Sequence, residues 1–139
     1  MSKVTRFGVS LNSELLKRFD TLNESKGYKT RSEAIRDLIR EELVTQEWAD
    51  KEYETVGVFS LVYDHHQSEL SRTLNHIQHE SLDIIVSSTH IHVDHRNCLE
   101  VIILRGSSEK IRQITNRLSS TRGVKHGKLI MTSTGSKLP

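Results

Sequence analysis

From Val4 to Leu11 the chain alternates with a period of two, and two helical patterns follow at once. Phe7, Val9 and Leu11 fall on one face of an extended segment, while Arg6, Gly8 and Ser10 fall on the other. Leu15, Leu16, Phe19 and Leu22 then recur at helical spacing, as do Ala34, Ile35, Leu38, Ile39 and Leu43. Asn12 or Ser13 can cap the first helix, and Gly27 suits the left-handed residue beyond its end. Thr30-Arg31-Ser32-Glu33 has the form of a capping box for the second. A strand and two helices within about 45 residues cannot close a core alone. Two copies can, with their strands paired as an antiparallel ribbon over four interlocked helices. Such a ribbon fits the major groove of DNA, with Arg6, Gly8 and Ser10 turned outward. Arg6 can pair bidentately with a guanine and Ser10 can bond a base, whereas Gly8 offers only close backbone approach. Ser32, at a helix amino end, is placed to hold a phosphate.

Charge and composition point the same way. The first 31 residues hold seven basic side chains against three acidic ones, in a chain of 139 residues with a net charge of +2. A basic amino end on a near-neutral protein implies a polyanionic partner. Hydrophobic content of 35% with one tryptophan leaves little for a large private core, so oligomerisation is expected. One cysteine excludes an intramolecular disulfide framework. No apolar run approaches 18 residues and no signal-peptide pattern follows Met1, so the expected location is the cytoplasm, away from any membrane.

Beyond a polar stretch from Val44 to Glu54, read as helix tail and linker, the pattern changes. The division is expected near residue 50, giving domains 1–50 and 51–139. Val56 to Tyr63 reads as a strand, and Leu70, Leu74 and Ile77 mark a helix. A strand over about Leu82 to Val93 follows, with a hairpin partner from Cys98 to Leu104 and a break at Gly106-Ser107. Ile111, Ile114 and Leu118 mark another helix, and a strand over Lys128 to Thr132 closes the series. The fold class is therefore α+β: a βαα unit followed by a ferredoxin-like βαββαβ domain.

That second domain carries the chemistry. His90 and His92, two apart on a strand, present their imidazoles on one face. The polar segment Val93 to Asn97 reads as a turn that returns Cys98 beside them. Two imidazoles and a thiolate suit zinc, copper or nickel and disfavour magnesium or calcium. A Cys/His pair can also do acyl chemistry, but no oxyanion hole or substrate cleft accompanies it, so no enzyme is expected. His76, His95 and His126 read as ordinary polar positions.

Arg6 through Leu11, together with Arg31-Ser32-Glu33-Ala34-Ile35-Arg36, resembles a ribbon-helix-helix DNA-binding domain. Joined to His90, His92 and Cys98, nearly the whole chain from Val4 to Leu129 resembles the nickel-responsive regulators, the NikR family. The resemblance implies an ACT-like regulatory domain holding one nickel(II) per chain, and His79 from a neighbouring subunit as the fourth ligand of a planar site. It further implies a homotetramer, a dimer of dimers, that binds double-stranded operator DNA and represses nickel-uptake genes when nickel is plentiful. Gln78 and Glu100 match residues that orient the ligands. Glu33 and Asp37, one helical turn apart, match a cation site, and His65 matches an accessory metal position. Gly8 departs from the family pattern, in which a side chain often reaches a base. Two other readings stay open: a ribbon-helix-helix regulator answering another metal or a small effector, and a metal-storage protein.

Overall fold

Asn12 ends the amino-terminal stretch by capping α1 (Ser13–Ser25), its Oδ1 accepting from the amides of Glu14 at 2.8 Å and Leu15 at 3.4 Å. The computed structural model describes residues 3–139, so the first two residues of the expected first domain lie outside it. Gly27, at φ +81°, takes the left-handed conformation after α1 that other residues resist. α2 (Arg31–Ala49) begins where Thr30 Oγ1 accepts from the Glu33 amide at 3.1 Å. The Arg31 guanidinium forks onto both Asp20 oxygens, at 2.9 and 2.8 Å, tying the two helices together. Asn12→Ala should cost about 1 kcal/mol of stability, read as a lowered melting midpoint of helical circular dichroism.

Residues 3–12 carry no strand assignment, and Phe7 is 69% exposed. A strand is defined by its ladder, and no described residue of this chain pairs with that stretch.

The chain forms two compact units, one running up to Leu43 and including Lys137–Pro139, the other Val44–Ser136. The division falls inside α2. Val44 packs against the core of the second unit, and Trp48 is buried in it. The stretch read as tail and linker is thus helical to Ala49.

The second unit follows the expected element order: β1 (Glu54–Asp64), α3 (Ser68–His79), β2 (Ile85–His92), β3 (Asn97–Ser107), α4 (Ser108–Ser120) and β4 (Val124–Met131). The strands form one sheet in the order β2-β3-β1-β4, every neighbour antiparallel. Alternation along β1 and β3 buries Phe59, Leu61, Ile102 and Leu104 beside Ile111 and Leu118 of α4. α4 packs on β1, β3 and β4, and α3 packs on α4.

Three strand limits differ from expectation. Residues 81–84 form a turn closing α3, because the Ser81 carbonyl accepts from the amides of Ile84 and Ile85, both at 3.0 Å. β3 runs on through Gly106, where a Cβ would come within 2.5 Å of the Ile84 side chain. The break comes one residue later: Ser107 caps α4, accepting from the Lys110 amide at 3.3 Å. β4 begins at Val124, earlier than its apolar residues indicate. Among the described residues, no helix is long and apolar enough to cross a membrane.

Candidate metal centre

Strand pairing assembles the site. His90 lies opposite Glu100 and His92 opposite Cys98, while on the other side of β3 Cys98 lies opposite Tyr63 of β1. Residues directly opposite in an antiparallel pair share a face, so these five side chains start from one face of the sheet. The hairpin is held by Asp94. Its Oδ1 accepts from the amides of Arg96 and Asn97, both at 2.8 Å, and the Val93 amide donates to the Asn97 carbonyl at 2.9 Å. The Asn97 side chain and these amides hold the Asp94 carboxyl down at about 2.

His90 has a defined orientation. Its Nε2 sits 2.8 Å from Glu100 Oε2, and its Nδ1 faces Tyr63 Oη at 3.3 Å and Cys98 Sγ at 3.6 Å. The Glu100 carboxylate has no exposure to solvent, and its second oxygen accepts from Gln78 Nε2 of α3. An imidazole proton on Nε2, toward the Glu100 carboxylate, leaves the Nδ1 lone pair toward Cys98. A carboxylate behind an imidazole, fixing tautomer and ring angle, is how metal-binding histidines are commonly oriented. The His90 side chain is 48% exposed, whereas Cys98 is buried.

His92 is exposed, its ring edge-on to His65 at 4.7 Å. His79 is the last residue of α3 and is exposed. Among the described residues, no three His, Cys, Asp or Glu side chains converge to hold a metal. One chain therefore brings together His90, Cys98, Glu100 and Gln78, sets His92 on their face, and leaves the donor set incomplete.

Tyr63 is the contact that sequence reasoning missed. Burial, then the Glu100 charge, pushes its hydroxyl well above the usual range, so it stays a donor at 3.4 Å from Glu100 Oε2. Its place at the end of an alternating strand was legible, but its partner across β3 was not.

Arg6, Gly8, Ser10 and Ser32 are exposed, and a Cβ at Gly8 would meet nothing within 4 Å. Glu33 is exposed on α2. Asp37 already accepts from Tyr28 Oη at 2.7 Å and faces Arg40 at 3.4 Å. His65 Nε2 lies 3.1 Å from the His95 carbonyl, and its ring is 4.3 Å from that of His66.

The fold is that of a two-helix amino-terminal unit followed by a ferredoxin-like βαββαβ domain. The model of the ribbon-helix-helix proteins of the copG family matches residues 5–46, and that of the NikR C-terminal nickel-binding domain matches residues 56–132. A relative from Nitratidesulfovibrio vulgaris (strain DP4), named "Putative nickel-responsive regulator", is 56% identical over 138 residues, 99% of each chain. One of the same name from Thermococcus onnurineus (strain NA1) is 49% identical over 136 residues, covering 98% of this chain and 99% of its own. The chain belongs to the family of nickel-responsive regulators: it is a nickel-binding transcription regulator, not an enzyme. A solved structure, the uncharacterized protein TM1266 from Thermotoga maritima, shares the fold alone. Its TM-score is 0.51 at 15% identity, over 55% of this chain and 95% of that one.

Proposed function

We propose that this regulator acts as a cytoplasmic homotetramer, binding one nickel(II) per chain and repressing nickel-uptake genes when loaded. Residues 1–50 serve as the DNA-binding part and 51–139 as the metal-binding part. The observation that carries the metal reading is His90 Nδ1 facing Cys98 Sγ at 3.6 Å while its Nε2 is anchored on buried Glu100. His90, His92 and Cys98 supply three donors from one face, and His79 of a second copy supplies the fourth. Bound nickel would contribute a borderline Lewis acid that accepts imidazole nitrogen and thiolate sulfur together.

The chain's own residues give this site a route to the rest of the domain. Gln78 links α3 to Glu100, and Glu100 links to His90. His79 follows Gln78 at the end of the same helix. Any change in how His90 and Cys98 are held thus reaches the turn of α3 that presents His79. A ligand shifts such an equilibrium only by its differential affinity for the two arrangements.

On DNA, Arg6 and Ser10 read bases from the paired ribbon, Gly8 permits close backbone approach, and Ser32 holds a phosphate. Glu33, Asp37 and His65 are the proposed accessory cation donors, with Asp37 shared between that role and its bonds to Tyr28 and Arg40.

The test is a nickel titration followed by absorption, repeated on Cys98→Ala, with DNA selection in the presence and absence of nickel. A thiolate-to-nickel charge-transfer band saturating at one metal per chain is expected, with the band absent in the variant. A band that survives loss of Cys98, or a selected sequence that does not depend on nickel, would overturn the reading.

A further inference from the structure

Tyr63 stands among the proposed donors without a firm partner of its own. It lies directly opposite Cys98 across the β1–β3 pairing and is 3% exposed, so its hydroxyl depends on the protein for a partner. The hydroxyl faces His90 Nδ1 at 3.3 Å and Glu100 Oε2 at 3.4 Å. Both distances exceed the roughly 2.5–3.0 Å of an ordinary hydroxyl bond. The Cys98 thiol is its third partner. Glu100 is already served by closer donors, His90 Nε2 at 2.8 Å on one oxygen and Gln78 Nε2 on the other. The phenolic proton is thus shared among three acceptors and held tightly by none.

Metal binding changes the standing of those acceptors, given the reading of His90 and Cys98 as nickel ligands on which this step rests. A metal on Nδ1 takes up the lone pair that the hydroxyl faces, and a ligating cysteine is a thiolate. A thiol sulfur is a weak acceptor, whereas an anionic one draws a charge-assisted bond. Cys98 and Glu100 are both buried, so a thiolate there stands near a second anion, and a neutral donor that reaches both offsets part of the cost. We propose that Tyr63 is a positioning residue of the metal site, its hydroxyl donating to the Cys98 sulfur and so setting how much electron density that sulfur gives to nickel. Hydrogen bonding around a ligating sulfur is one of the ways a protein tunes a metal centre. A bond of this kind lowers the energy of the sulfur lone pairs, which moves thiolate-to-nickel charge transfer to higher energy.

Absorption of the full, nickel-loaded protein tests this, with wild type compared with Tyr63→Phe and with a ring-fluorinated tyrosine in place of Tyr63. Phenylalanine keeps the ring and removes the donor, while the fluorinated phenol is a stronger donor of nearly the same volume. The charge-transfer band should move to longer wavelength in Tyr63→Phe and to shorter wavelength with the fluorinated residue. A band that keeps its wild-type position in both would overturn the proposal and leave the hydroxyl serving Glu100 alone. Movement in the same direction in both would overturn it as well, because that reports repacking and not donor strength. Should Tyr63→Phe fail to fold, the sign of the shift in the fluorinated protein decides. No charge-transfer band in wild type is a different failure: it removes the nickel-ligand reading, and this proposal with it.

Discussion

Glu100→Ala should weaken nickel binding by about 10- to 100-fold while leaving all four proposed ligands in place. The carboxylate has no solvent exposure and serves three donors: His90 Nε2, Gln78 Nε2 and the Tyr63 hydroxyl. Without it the imidazole loses the group that selects its tautomer, so Nδ1 is no longer the fixed free nitrogen beside Cys98. Of the three former partners the Tyr63 hydroxyl is the buried one, and a buried donor without an acceptor costs about 1–3 kcal/mol. Competitive nickel titration reads the first effect and urea unfolding of the metal-free protein reads the second. Glu100→Gln fills the cavity but presents an amide that cannot accept from all three donors, so affinity should fall while stability largely returns. Wild-type nickel affinity in Glu100→Ala would show that His90 is oriented by something other than this carboxylate.

The largest stability effect belongs to Trp48. Its side chain is 3% exposed, its indole nitrogen holds the Thr132 carbonyl, and the Arg112 guanidinium lies 5.4 Å from its ring centroid. Trp48→Ala should cost about 3–5 kcal/mol, the range for emptying a buried aromatic site. Urea unfolding followed by far-ultraviolet circular dichroism gives the value. A loss under 1 kcal/mol would mean that the surrounding side chains collapse into the space.

Trp48 also shows why parts of the structure were hidden in the sequence. It stands in a stretch where Gln46, Glu47 and Asp50 outvote it, so local patterning gives no stripe. It is buried in the core of the second unit and its indole nitrogen bonds Thr132, 84 residues away, and such long-range contacts leave no local trace. Leu82 and Ile84 misled in the opposite direction, since their apolar character resembles the start of a strand although they lie in the turn after α3. The hairpin was legible because its information is local. Alternation sets the faces of His90 and His92, and the polar run after them sets the turn. Glu100 and Gln78 could be placed only by resemblance, because what joins them is a contact between a strand and a helix. Tyr63 was lost because its partners lie on other strands, and nothing local records that pairing. The amino-terminal stretch alternates with a period of two, but residues 3–12 carry no strand assignment, so the expected ladder is not among the described pairings.

The Asp94 turn carries a consequence for how the site can go wrong during folding. From Ser87 to His92 the pairing is regular, so sliding that part of β2 by one residue against β3 would carry both imidazoles to the opposite side of the sheet. Cys98 and Glu100 would stay behind, and every ligand would be present with none in reach. The edge position of β2 offers few buried side chains to oppose such a slip, since all its residues after Ile85 are exposed. Four bonds to one aspartate therefore guard the register of a proposed metal site whose donors they never touch.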